Sequence, residues 1–228
     1  MSIHYIPYNT IDKTKWDSCI KNSFNGLIWG FSWYLDIVCE KWDAIVEGDY
    51  QKVMPLPYVQ KYNQYHVVIP PFVKQLGVFS IDKLTSATVD SFIAAIPEKF
   101  KEVSIPLNDM NKTSIDGFKY QEMQNFQLDL IQPYENTADA YSLQNQAKIG
   151  FAREQELTFT KKIAVSEFES FIKTVDKKWA HSLSKKEEQI LTNLITTLSK
   201  FSLAELYGVY DSNNQLCATA LFLIYLNR

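Results

Sequence analysis

The sequence predicts an α/β protein of the α+β, mixed-sheet kind, with one full unit at residues 1–133 and a partial second unit at 134–228. Two observations predict it. Short runs that alternate with period two give way repeatedly to runs with period 3.6, so strands and helices share the chain. The stretches Trp42–Leu56 and Leu206–Ala220 also echo each other, each an apolar strand, an acidic or glycine-containing turn and a small-and-apolar strand. Each follows two helices that follow one strand, and an element order that repeats points to duplicated units.

Ile3–Pro7 reads as a short strand. Asp12–Asn22 reads as a helix with Trp16, Cys19 and Ile20 on one face, and Ser32–Glu40 as a second helix burying Tyr34, Leu35 and Val38. Asn25-Gly26 separates the two. Asp43–Glu47 and Lys52–Val59 form a hairpin across the short Gly48–Gln51 loop. His66–Ile69 is a further strand, stopped by Pro70-Pro71, and Gln75–Phe79 is extended. Ser80 is placed to cap a helix whose apolar face is Leu84, Phe92, Ile93 and Ile96. Lys101–Pro106 is a strand, Asn108–Gly117 is polar and turn-rich, and Phe126–Leu130 alternates as a half-buried strand does.

Beyond Pro133 the pattern restarts. Thr137–Gln155 reads as a polar helix and Leu157–Ile163 as a strand. Ser166–Glu169 has the spacing of a capping box, opening a helix with Phe168, Phe171, Ile172, Val175 and Trp179 on one stripe. Ser184–Glu187 is a second such box, ahead of Ile190, Leu191, Leu194, Ile195 and Leu198. Glu205–Tyr210, a turn at Asp211–Asn214 and Gln215–Leu226 close the chain.

This order resembles the GNAT acyltransferase fold, and its tandem use resembles the Fem-type peptidoglycan-bridge aminoacyltransferases. The stretches Phe31–Asp36, Trp42-Asp43-Ala44, Val53–Pro57 and Pro70–Ser80, with the Gly208–Asp211 turn, are similar to GNAT-like proteins of Bacteroidetes. The resemblance implies an N-acyltransferase with acetyl-CoA or another acyl-CoA as donor and a small-molecule or other amine as acceptor. In that family a pantetheine arm lies between two splayed parallel strands, and the pyrophosphate rests on backbone N–H groups at a helix N-terminus, where the macrodipole favours anions. Its second unit runs on past the hairpin into the segment that holds the phosphates. Here the chain stops at Arg228, so the second unit is expected to lack its C-terminal half. Two rival readings stand beside this one. A Fem-type transferase using aminoacyl-tRNA is the first, although the helices between Ser166 and Phe201 are short for a charged helical arm. A non-catalytic scaffold that retains the fold is the second.

In the first unit the passage matching the family's phosphate loop is Lys74–Ser80. Lys74, Gln75, Gly77 and Ser80 are the candidate cofactor contacts, and Phe79 stands where a tiny residue belongs. A glycine at a strand end is the competing structural reading. Candidate substrate contacts are Trp33 and Tyr34 from the aromatic set, with Tyr141, Asn145, Lys148 and Arg153 from the polar helix. Core packing and a solvated helix face compete with them.

Composition narrows the rest. Lys and Arg total 23 against 26 Asp and Glu, and Arg153 and Arg228 are the arginines, so DNA binding is not expected. Cys19, Cys39 and Cys217 are too far apart for a zinc or redox pair, and His4, His66 and His181 lack spaced partners, so no metal is expected. No apolar run approaches the roughly 20 residues of a membrane helix, and no signal peptide is visible, which predicts a cytoplasmic protein. An apolar final strand without a neighbour predicts self-association through residues 216–226, or packing of that strand on the first unit.

Overall fold

The computed structural model describes residues 2–128 and 131–225, apart from the side chains of residues 178–180. The chain is mixed α and β. It divides into two compact units, Met1–Tyr120 with Glu187–Leu194, and Gln121–Lys186 with Ile195–Arg228.

The first unit is built on a sheet of β1 (Ile3–Ile6), β2 (Lys41–Glu47), β3 (Lys52–Lys61), β4 (Gln64–Val67), β5 (Phe79–Ser80) and β6 (Phe100–Val103). The path runs β1-β2-β3-β4-β6, with β5 on β3. Strands β1 to β4 pair antiparallel. The β4–β6 pair is parallel, and the connection between them carries α3 (Ser86–Ala94), as parallel neighbours require a crossover. Two helices, α1 (Lys13–Asn22) and α2 (Ser32–Val38), separate β1 from β2.

Local chemistry explains these bounds. Asp12 caps α1, its carboxylate accepting from the N–H groups of Thr14 at 3.0 Å and Lys15 at 3.1 Å. The α2 N-terminus is capped from a distance, since Asp17 of α1 accepts from Ser32 N–H at 2.7 Å and from its hydroxyl at 2.8 Å. Burial raises the Asp17 pKa above the usual carboxylate range. The β3–β4 hairpin, which the sequence does not announce, turns on Tyr62 and Asn63, both at positive φ, inside the Lys61↔Gln64 pair.

The sheet is covered on both faces. On one, the Trp42 ring meets Trp16 of α1 with centroids 5.0 Å apart, and Ala44 and Val46 lie buried beside it. On the other, Ile45, Met54 and Leu56 pack with Val89, Phe92 and Ile93 of α3.

The second unit holds a three-stranded antiparallel sheet in the order β7 (Thr158–Lys161), β8 (Ala204–Tyr210), β9 (Leu216–Leu223). Ahead of it come α4 (Tyr134–Asp139) and α5 (Leu143–Arg153); between β7 and β8 come α6 (Val165–Val175), α7 (Lys177–Ser182) and α8 (Lys185–Lys200), of which Glu187–Leu194 is grouped with the first unit. The stripe expected on α8 buries Leu194, Ile195 and Leu198. The two sheets share a strand order, the middle strand pairing antiparallel on both sides: β2 between β1 and β3, and β8 between β7 and β9.

Several expectations require correction. Ser80 does not cap α3: it lies buried in β5 with its hydroxyl on the Asp82 carbonyl at 2.5 Å, and Thr85 is the cap, accepting from Thr88 N–H at 3.2 Å. Thr85→Ala is expected to cost about 1 kcal/mol in urea unfolding, and an unchanged midpoint would place the cap elsewhere. The Ser166 capping box is not formed. The helix starts at Val165 with its cap at Ala164, two residues ahead of Ser166, and Glu167 accepts from the Tyr210 hydroxyl at 2.7 Å. The single helix expected over Thr137–Gln155 is two, because Ser142 starts a new one by accepting from Asn145 N–H at 3.3 Å. Phe126 and Leu128 belong to no strand and are 88% and 63% exposed. Alternation marks a strand only where a sheet edge receives it. Asp129, Leu130 and Leu226 and the Trp179 side chain lie outside the described residues.

Candidate functional site

The densest polar chemistry in the first unit surrounds Asp43. Its neighbours in β2 are apolar, yet its side chain is only 4% exposed. A buried carboxylate is stable only with donors, and Asp43 has three. The Tyr8 backbone N–H donates at 2.9 Å, the Tyr5 hydroxyl donates to Oδ2, and Lys99 Nζ approaches Oδ2 at 3.2 Å.

Lys99 stands just before β6 and also donates to the Tyr5 hydroxyl. It lies over four rings, with Nζ 4.6 Å from the centroid of Tyr5, 4.8 Å from Phe100, 5.4 Å from Tyr65 and 5.7 Å from Tyr58. A cation over several aromatic faces is held by their quadrupoles. Burial and the Asp43 carboxylate together drive the Tyr5 pKa well above its usual value, so the phenol keeps its proton and acts as a donor. Burial, and then Asp43, raise Tyr58 also. The arrangement is therefore a cation seat, a carboxylate floor with aromatic walls, occupied by the chain's own lysine. Sequence reasoning did not single out Tyr5, Asp43 or Lys99. The available signal was one charge inside Trp42–Val46, an otherwise apolar strand.

The candidate cofactor residues fall elsewhere. Lys74 is exposed, Gln75 half-buried, and Gly77 and Ser80 buried. Three buried asparagines clamp this segment. Asn111 accepts from Val78 N–H at 2.6 Å, Asn25 accepts from Ser80 N–H at 3.1 Å, and Asn108 donates to the Leu76 carbonyl at 2.9 Å. Gly77 is at φ +97°, and a Cβ there would meet Asn111 Oδ1 at 2.6 Å. The backbone donors at Val78 and Ser80 are thus already engaged, and Phe79 is fully buried. The parallel ladder also resumes past Val67, where Leu76 N–H donates to Pro106 at 2.5 Å and Leu76 bridges Leu107.

Among the candidate substrate contacts, Trp33 and Tyr34 touch edge-on at 5.6 Å. Tyr34 is core, its hydroxyl donating to the Phe72 carbonyl at 2.8 Å, and burial raises its pKa. Asn145, Lys148 and Arg153 lie on α5, a helix with no buried residue, and Tyr141 precedes its cap. They belong to the second unit, Trp33 and Tyr34 to the first.

In the second unit the sheet face bearing Phe159, Lys161, Glu205, Tyr207 and Phe222 lines a hollow of about 1040 Å³. Tyr207 donates to Glu205, and Lys161 Nζ is 5.5 Å from the Tyr207 ring centroid. Glu205 lies opposite Phe222. Each sheet thus carries a carboxylate on its middle strand with a tyrosine and a lysine nearby. Among the described residues no group of three or more His, Cys, Asp or Glu is placed to hold a metal ion, and no helix is long and apolar enough to cross a membrane. No family model, curated protein or solved structure matches this chain.

Proposed function

We propose that the chain is a GNAT-type N-acyltransferase, moving an acyl group from acyl-CoA to an amine. What supports this reading is the element order β1-α1-α2-β2-β3-β4-β5-α3-β6, with β4 parallel to β6 across the α3 crossover, which apart from the short β5 on β3 is the order the resemblance implies. The common strand order of the two sheets, each with helices between its first and middle strands, supports reading the second unit as a partial copy of the first. In such a reaction the amine nitrogen attacks the thioester carbonyl, the tetrahedral intermediate expels the CoA thiol, and the nitrogen gives up a proton. Three unpaired cysteines suit the reducing cytoplasm, where we place it.

One observation favours a second reading, the non-catalytic scaffold: the first unit's strands re-pair at Leu76–Leu107, and Asn25 and Asn111 hold the donors a phosphate would use. Both readings agree that acetyl-CoA binds this chain weakly, and calorimetric titration tests that. The expected dissociation constant lies well above the micromolar scale, a binding free energy short of about 8 kcal/mol. Measurable affinity together with thiol release in the presence of an amine supports the transferase. No heat at millimolar acetyl-CoA, and no thiol released with any primary amine, sinks it in favour of the scaffold.

A further inference from the structure

We propose that the open face of the β7–β8–β9 sheet is a docking surface for a second copy of this chain, forming a two-fold dimer face to face. The inference does not depend on acyl transfer. Its starting point is the strand order shared by the two sheets. In the first unit the face carrying Ile45, Met54 and Leu56 is sealed under α3. In the second unit the face turned away from α6 carries Tyr207, Ala220 and Phe222. Phe222 on β9 is 56% exposed and Phe159 on β7, across Tyr207 from it, 62%. The opposite face is satisfied, with Ala204 and Leu206 buried and α6 against β8 and β9. One sheet face thus keeps large rings in water where its counterpart is dry, the pattern of a surface that meets a partner.

Charge selects the occupant. The face carries one cation, Lys161, and one anion, Glu205, to either side of Tyr207: Lys161 is its cross-strand neighbour on β7, and Glu205 lies two residues back along β8. A two-fold axis near Tyr207 brings Lys161 of each copy to Glu205 of the other, so the patch is complementary to itself. That is the condition an isologous interface must meet. Stacked sheets interdigitate about 10 Å apart, and the aromatic rings are long enough to fill that gap. Three strands of up to eight residues offer a face of only about 14 Å by 24 Å. The interface is therefore small, and a micromolar, reversible dimer is expected rather than a permanent one.

Sedimentation velocity on the full chain at concentrations spanning the micromolar range is the test. The wild type should shift from monomer to dimer. Lys161→Glu and Glu205→Lys, each alone, place like charges across the axis and should weaken the dimer at least about tenfold. An equimolar mixture of the two variants restores both opposite-charge pairs, so it should dimerise while neither does alone. Phe222→Ala, which only trims an exposed ring, should weaken the dimer and leave the urea midpoint unchanged; it serves as the independent readout if a charge variant fails to fold. A wild type that stays monomeric throughout, a mixture that does not recover, or a Phe222→Ala dimer of unchanged strength each overturns the proposal.

Discussion

Replacing Asp43 by alanine is expected to lower the unfolding free energy by about 3 kcal/mol, among the largest effects of any single polar substitution in the first unit. The carboxylate satisfies Tyr8 N–H, the Tyr5 hydroxyl and Lys99 together. Its removal leaves the half-buried Tyr5 phenol and the Tyr8 N–H without their acceptor and the ammonium over the rings without a counter-ion. The Lys99 side chain is 39% exposed, so water recovers part of its loss, and the estimate sits at the low end for a broken buried pair. Asp43→Asn keeps two acceptor lone pairs and should cost less, about 1–2 kcal/mol. Urea denaturation followed by tryptophan fluorescence reads both, since Trp42 is adjacent. An Asp43→Ala chain as stable as wild type would mean that the cluster is solvated in solution.

Phe79→Ala is expected to cost about 3–5 kcal/mol and not to create an acyl-CoA site. The side chain is fully buried. Its ring lies over Gly30, where an added Cβ would meet it at 2.8 Å, and its backbone pairs with Val53. Truncation leaves a ring-sized cavity between β5 and α1, whereas Phe79→Leu refills most of it and should cost no more than about 1.5 kcal/mol. Thermal unfolding and acetyl-CoA calorimetry on the same samples separate two roles. A neutral substitution with a gain in acetyl-CoA affinity would show Phe79 to be a plug in a cofactor loop; a large loss of stability with no gain shows it to be core.

Much of the architecture was legible because period and punctuation are local properties. The Trp16, Cys19 and Ile20 face of α1, the hairpin between Glu47 and Lys52 and the α8 stripe follow from residue spacing alone, and the structure has all three. Three features were not legible, each for a reason beyond the local pattern. The Asp17 cap on α2 joins residues 15 apart, so no capping motif contains it. The Ser166 box has the right spacing, but the helix begins at Val165, which puts Ser166 inside its first turn and not at its cap. The alternation of Phe126 and Leu128 has no described strand to pair with, and alternation without a partner remains a coil.

The candidate site divides in the same way. By itself the sequence determined the two hairpins, the buried faces of α1 and α8 and the scarcity of arginine and of cysteine pairs, because each is written in composition or spacing. Only the tertiary structure decided that Tyr5, Asp43, Tyr58, Tyr65 and Lys99 meet, since they arrive from four strands and the turn before β6, up to 94 residues apart. It also decided that Lys74–Ser80 is bound by asparagines 25, 108 and 111 rather than open to a phosphate. A backbone N–H is available to a ligand only if nothing else in the fold accepts from it, and no sequence motif records which side chain arrives there first.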